Sequence, residues 1–76
     1  MTDEASAARL VATALDIQSV PGPDDGMATL PAWTSLGHVR LVMELETVLG
    51  RPLTAEEIVG LDSVRAVARL LGQASG

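Results

Sequence analysis

The stretch SLGHVRLVMELETVLG, residues 35–50, determines the fold prediction because it has the length and spacing of one amphipathic helix. An advance of about 100° per residue places five apolar side chains within one arc of about 120°, wide enough to cover a helical core. These are Leu41, Val42, Leu45, Val48 and Leu49. Gly50 favours a left-handed cap and Pro52 follows it, so we expect this helix to run from Ser35 to Leu49.

A second apolar arc lies on the opposite side of the same helix. It contains Leu36, Val39 and Met43, interleaved with polar side chains. A helix on the outside of a small domain cannot bury both arcs, so the second arc predicts a surface for docking partner proteins. This predicted surface consists of Leu36, Val39, Arg40, Met43 and Glu46. The alternative is that its apolar side chains pack against a neighbouring loop.

Two segments before this helix have contrasting patterns. Residues Asp3 to Ile17 carry apolar side chains at helical spacing, with acids near the start, and predict a first helix. Residues Gln18 to Trp33 contain three Pro and two Gly, which prevent a continuous helix and predict a long loop. We expect Met27, Leu30 and Trp33 to attach this loop to the core.

Two further helices are predicted after residue 50. Thr54 and Glu57 have the spacing of a capping box, which opens a short third helix that Gly60 ends. Asp62 is then expected to cap a fourth helix. One face of that helix carries Val64, Val67, Ala68 and Leu71. The prediction is one all-α domain over residues 1–76, a bundle of three longer helices and a short third one.

Composition supports an all-helical core and excludes several kinds of site. The 76 residues include no Cys, Phe or Tyr, one Trp and one His, so the core is aliphatic and rich in helix-forming Ala and Leu. A disulfide framework and a thiolate metal site are excluded, and His38 alone cannot build a zinc site. No metal site is expected.

Charge and hydropathy bear on partners and location. The net charge of −5 has the wrong sign for gripping a phosphate backbone or an anionic lipid surface, so neither nucleic acid nor membrane is an expected partner. The opening MTDEASAARL lacks the basic and apolar regions of a secretory signal. No apolar run approaches the roughly 20 residues of a membrane span. We expect a cytoplasmic protein.

Ser35 is the side chain with the most chemical interest. A hydroxyl at a helix start beside a loop is accessible to a modifying enzyme, and an attached phosphodiester would lie at the positive helix end. Alternatively, Ser35 or Thr34 serves only as an N-cap. A Ser35–His38 dyad, with the two residues one turn apart, is the enzymatic alternative.

The residues from Trp33 to Glu46, WTSLGHVRLVMELE, resemble the attachment-site helix of acyl carrier proteins. Leu49, the segment PLTAEE at 52–57 and the segment DSVRAV at 62–67 fall at the spacings of the same family. The resemblance covers residues 33–71 without gaps, whereas residues 1–32 agree only as a helix followed by a long loop. The resemblance implies an acyl-carrier four-helix bundle.

In function, the resemblance implies a carrier that is not itself an enzyme. A phosphopantetheinyl transferase would attach 4'-phosphopantetheine from coenzyme A to Ser35, and the thiol of that arm would carry acyl groups as thioesters. Acyl-loading and acyl-transferring enzymes of fatty-acid, polyketide-type or other specialised biosynthesis would be the partners of a monomeric chain. Met43 matches a methionine that the family presents to partners, and the absence of Cys fits, because the arm supplies the sulfur.

Three positions depart from the family pattern. The residue before the serine is usually Asp, and here it is Thr34. Arg40 and Thr47 stand where many fatty-acid carriers have an acid, which predicts docking on different enzymes. The lost Asp keeps an alternative open, in which the chain is a degenerate, unmodified carrier-like domain that acts only as a protein-interaction module.

Overall fold

Four helices make up the regular structure of the protein in the computed structural model, which describes residues 3–75. They are α1 (Asp3–Leu15), α2 (Ser35–Leu49), α3 (Ala55–Gly60) and α4 (Val64–Ser75). Within that range there is no β-strand, only an isolated bridge between Gly26 and Ser63. The all-α prediction, with three longer helices, a short third helix and a long loop after the first, is therefore confirmed. None of the helices over residues 3–75 combines the length and apolar character needed to cross a membrane.

Helix α1 lies at the centre of the packing, against both α4 and α2. Its buried face is made mostly of small side chains, which allow the neighbouring helices to approach closely: Ala7, Ala8, Val11, Ala14 and Leu15. Leu41 and Leu45 of α2, and Val64 and Val67 of α4, complete the fully buried centre. The radius of gyration of 11.0 Å matches the ~11 Å expected of a compact chain of this length.

The first helix ends at Leu15, two residues before the predicted end at Ile17. Asp16 adopts a left-handed conformation with φ of 56°. The amide of Asp16 donates to the carbonyl of Thr13 at 3.2 Å, and the amide of Ile17 donates to that of Ala12 at 3.0 Å. This pair of bonds is the Schellman motif, here formed with Asp in place of the usual Gly.

The bounds of α2 are those predicted, Ser35 to Leu49, with Gly50 as a left-handed cap at φ of 72°. Leu41 and Leu45 are fully buried, and Val42 and Leu49 pack against the core while partly exposed. The assignment of Val48 to the core was wrong, because its side chain is 58% exposed. The position of a residue around a helix determines which way its side chain points, but not whether another segment packs against it. Val48 lies in the last turn of α2 and remains uncovered.

The predicted capping box of α3 is present. Thr54 Oγ1 accepts from the amide of Glu57, and the Glu57 carboxylate accepts from the amide of Thr54. Arg51 donates to both carboxylate oxygens of Glu57, at 2.9 and 2.8 Å. This hydrogen bonding from Arg51, followed by that from the Thr54 amide, lowers the pKa of Glu57 from 4.5 to about 2. At pH values above the usual pKa of a carboxyl group, these bonds to the ionised Glu57 stabilise the turn between Arg51 and Glu57. The stabilisation is lost as the pH falls from there towards 2.

Ser63, not Asp62, caps α4. The Ser63 hydroxyl accepts from the amide of Ala66 at 3.1 Å. Asp62 still belongs to the segment that pairs with the long loop, since its carbonyl accepts from the amide of Met27 at 3.1 Å. This pairing delays the helix by one residue, and the assignment of Asp62 as the cap was wrong.

The long loop is attached to the N-terminal end of α4 through its backbone. Two bonds flank the Gly26–Ser63 bridge: Met27 N–H to Asp62 O, and Val64 N–H to Asp25 O at 2.9 Å. Gly26 is required there, because a Cβ would overlap the carbonyl of Asp62. Of the three side chains expected to attach the loop, Trp33 is buried and Leu30 is partly buried against the core, but Met27 is exposed. Backbone pairing at Gly26 replaces the role predicted for Met27.

Gly37 marks the closest approach between α2, the end of α1 and the loop. A Cβ at Gly37 would lie 2.7 Å from Cδ2 of Leu15 and 2.8 Å from the carbonyl oxygen of Ala32. Both distances are shorter than normal van der Waals contact, and the carbonyl belongs to the backbone. Any larger side chain at position 37 must push the start of α2 outward.

We predict that Gly37→Ala lowers the free energy of unfolding by about 1–2 kcal/mol, since overpacking exceeds the gain in helix propensity. Gly60→Ala is the matched control, because a Cβ there would meet no atom of another described segment within 4 Å. Urea denaturation of both variants measures the difference. Equal stability of the two variants would show that α2 does not approach its neighbours as closely as described.

Candidate functional site

Ser35 is the first residue of α2 and is exposed to solvent. Its side chain makes no hydrogen bond or ion pair with the described part of the chain. The first turn of the helix carries no acidic residue. The hydroxyl therefore lies free at the positive end of a 15-residue helix.

Thr34 provides the N-cap of α2. Its backbone is extended, with φ of −86° and ψ of −179°, and its Oγ1 accepts from the amide of Gly37 at 3.1 Å. The sequence left open whether Thr34 or Ser35 is the cap, and the structure assigns this role to Thr34. Ser35 is consequently not needed to satisfy the helix end.

His38, one turn further along α2, is hydrogen-bonded through both ring nitrogens. Nδ1 lies 3.0 Å from Nε1 of Trp33, and Nε2 lies 2.8 Å from the carbonyl oxygen of Ile58. The indole N–H can only donate, so Nδ1 must accept. Nε2 then carries the ring proton and donates to Ile58, which fixes a single neutral tautomer.

This arrangement contradicts the Ser35–His38 dyad. A general base needs a free ring nitrogen within hydrogen-bond reach of the hydroxyl. The lone pair at Nδ1 is occupied by Trp33, and Nε2 carries a proton directed at Ile58. His38 is the packed, hydrogen-bonded histidine that its position at the edge of the core arc suggested.

The apolar side chains of the second arc of α2 are exposed, as predicted. Leu36 is 61% exposed, Val39 is 53% and Met43 is 61%. The alternative that the long loop covers them is wrong, because that loop crosses to α4 instead. We call these three side chains the outer stripe of α2.

The two charged residues predicted for the docking surface differ in their surroundings. Arg40 is exposed and forms no ion pair with any residue between 4 and 73. Glu46 is half-buried, and its Oε2 accepts from the amide of Leu53 at 3.0 Å. Glu46 therefore also holds the chain between α2 and α3 against α2.

An open cleft of about 340 Å³ lies between α2 and the end of α1. Arg40 and Met43 contribute to it from α2, and its charged lining also includes Asp16 and Glu44. The sequence did not predict this cleft, because Asp16 was expected to lie inside α1 and not at its end.

The exposure of Val59 on α3, which is 81%, was also not predicted from the sequence. A helix of six residues is too short for its periodicity to reveal an outer face.

Comparison with known proteins adds no assignment to this geometry. No family model, curated protein or solved structure matches the chain. The functional argument therefore depends on the site itself.

The division of roles between two adjacent hydroxyls gives a direct prediction. Thr34→Ala should lower the free energy of unfolding by about 1 kcal/mol, because the amide of Gly37 loses its acceptor. Ser35→Ala should change it by less than about 0.5 kcal/mol, because its hydroxyl has no partner to lose. Denaturant titrations of the two variants test this. A larger loss in Ser35→Ala than in Thr34→Ala would reverse the assignment of the cap.

Proposed function

We propose that the chain is an acyl carrier protein that holds acyl groups on a 4'-phosphopantetheine arm attached to Ser35. The observation that carries this proposal is the free hydroxyl of Ser35 beside a cap supplied by Thr34. A serine that is exposed, ordered within a helix and without a structural role suits covalent modification. The proposal includes the acyl-carrier form of the four-helix bundle.

The surroundings of Ser35 fit a phosphodiester. The unpaired amides of the first helical turn and the helix dipole favour an anion there. No acidic side chain in that turn opposes it. Once attached, the arm supplies a thiol that forms thioesters, a group that this Cys-free chain lacks.

The outer stripe of α2 is proposed as the surface that partner enzymes contact. Its three apolar side chains follow Ser35 along the same helix, so an enzyme that covers them also reaches the attachment point. Arg40 and Glu46 would add charged contacts at the edge. A surface of this kind supports rapid, transient encounters rather than permanent assembly.

The proposed partners are a phosphopantetheinyl transferase and enzymes that load and remove acyl groups in fatty-acid, polyketide-type or other specialised biosynthesis. The chain would act as a monomer that positions the acyl group and leaves catalysis to these partners. An interaction module without the arm is the second candidate. Thr34 favours this candidate, because it places a neutral side chain where the family usually has an acid that helps a transferase orient the carrier.

We predict that co-expression with a broad-specificity phosphopantetheinyl transferase adds the mass of one phosphopantetheinyl group to the wild-type chain. Ser35→Ala should gain nothing while remaining folded, because Thr34 still caps the helix. Intact mass spectrometry and circular dichroism measure the two properties. A folded wild-type chain that stays unmodified by several transferases would favour the interaction module.

A time course of loading by a purified phosphopantetheinyl transferase, followed by intact mass spectrometry, tests the outer stripe with two matched variants. Met43 and Val48 are similarly exposed on α2, at 61% and 58%, but lie about 140° apart around the helix. Met43→Glu should lower kcat/KM for loading about tenfold, equivalent to about 1.4 kcal/mol, and Val48→Glu should leave it within about twofold. Equal losses in both variants would exclude the outer stripe as the contact.

A further inference from the structure

Helix α3 is the most weakly anchored of the four helices. It has six residues, none of them buried. Ile58 packs against the core while partly exposed, and Val59 points into solvent. Buried Leu53 precedes the helix and buried Leu61 follows it, so the chain is fixed to the core on both sides of α3 and only the helix between them is weakly held. Few buried contacts of this kind are typical of segments that open locally while the rest of a protein stays folded.

Most hydrogen bonds of α3 are local. The capping box joins Thr54 and Glu57, and the ion pair of Glu57 is with nearby Arg51. Among residues 4–73, the bond from His38 Nε2 to the carbonyl oxygen of Ile58 is the single hydrogen bond between α3 and a distant part of the sequence. It spans 20 positions and joins α3 to the first turns of α2.

The other ring nitrogen of His38, Nδ1, accepts from Trp33, which precedes Ser35 in the sequence. Trp33 is almost fully buried, and its indole stacks beside the imidazole with ring centroids 6.3 Å apart. The indole N–H donates to Nδ1 and so fixes the orientation of the imidazole, with Nε2 directed at the carbonyl oxygen of Ile58. One imidazole thus connects the loop, the start of α2 and the end of α3.

We propose that His38 is a positioning residue that latches α3 closed against the Ser35 end of α2. When the bond from Nε2 to Ile58 breaks, α3 opens by local unfolding between the buried side chains of Leu53 and Leu61, which stay in the core, and uncovers the apolar surface beneath Ile58. The bond from Trp33 to Nδ1 remains and keeps the start of α2 in place. This device is independent of the proposed function, because it needs no group on Ser35.

The two bonds can be separated with side chains that reproduce one ring nitrogen each. His38→Asn places an amide oxygen near the position of Nδ1, so it can accept from Trp33 but cannot reach Ile58. His38→Gln places an amide nitrogen near the position of Nε2, so it can donate to Ile58 but leaves Trp33 without its acceptor. Each variant therefore serves as the control for the other.

Amide hydrogen exchange of the unmodified protein, followed by NMR, measures opening of α3. The amides of Ile58 and Leu61 report on it, since they bond within that segment at 3.0 and 3.3 Å. In His38→Asn they should exchange about fivefold faster or more, with the amide of Val11 in the core changed less than about twofold. In His38→Gln they should stay within about twofold of wild type, while the emission of Trp33, the single tryptophan, shifts.

Several results would overturn the latch. One is that the amides of Ile58 and Leu61 exchange in His38→Asn at the wild-type rate. Another is that exchange in α3 and in the core accelerates equally in that variant. The wild-type protein provides a test that needs no variant. Its α3 amides should exchange at least about tenfold faster than the amide of Val11. Exchange of both only through global unfolding would show that α3 does not open on its own.

Discussion

The start of α2 depends on one imidazole ring that is hydrogen-bonded on both sides. Trp33 donates to Nδ1 of His38, and Nε2 donates to Ile58. Because the indole cannot accept, these bonds are compatible with one neutral tautomer only. The ring therefore connects Trp33 of the loop, the first turn of α2 and Ile58 of α3. In the sequence, Ser35 lies between Trp33 and His38.

Contacts with the core also restrict the position of the start of α2. Gly37 allows α2 to contact both Leu15 of α1 and the backbone of the loop at Ala32. The loop itself is paired with the N-terminal end of α4, which takes it away from the outer stripe of α2. The result is a restrained helix start with a free hydroxyl, followed by an apolar face that no other segment of the described chain covers. A carrier would need this combination, because its partners must find the attachment point and then leave it.

Local chemistry explains which features the sequence predicted. The bounds of α2 and the capping box of α3 follow from residues within a few positions of one another, and both were correct. Apart from the end of α1, what the sequence missed depends on contacts between distant residues. Asp62 has the chemistry of a cap, but its carbonyl pairs with the amide of Met27 and the helix begins two residues later, at Val64. The sequence likewise placed His38 at the core edge, whereas its partner Ile58 is 20 positions away and could not be identified from spacing.

The tautomer of His38 tests the account most directly. A long-range ¹H–¹⁵N NMR spectrum of the imidazole at neutral pH distinguishes a nitrogen that carries a proton from one that does not. The structure predicts a proton on Nε2 and an unprotonated Nδ1 that accepts from the indole of Trp33. A proton on Nδ1, or an even mixture of the two tautomers, would contradict it. The indole of Trp33 would then lack its acceptor, and His38 would not restrain the start of α2.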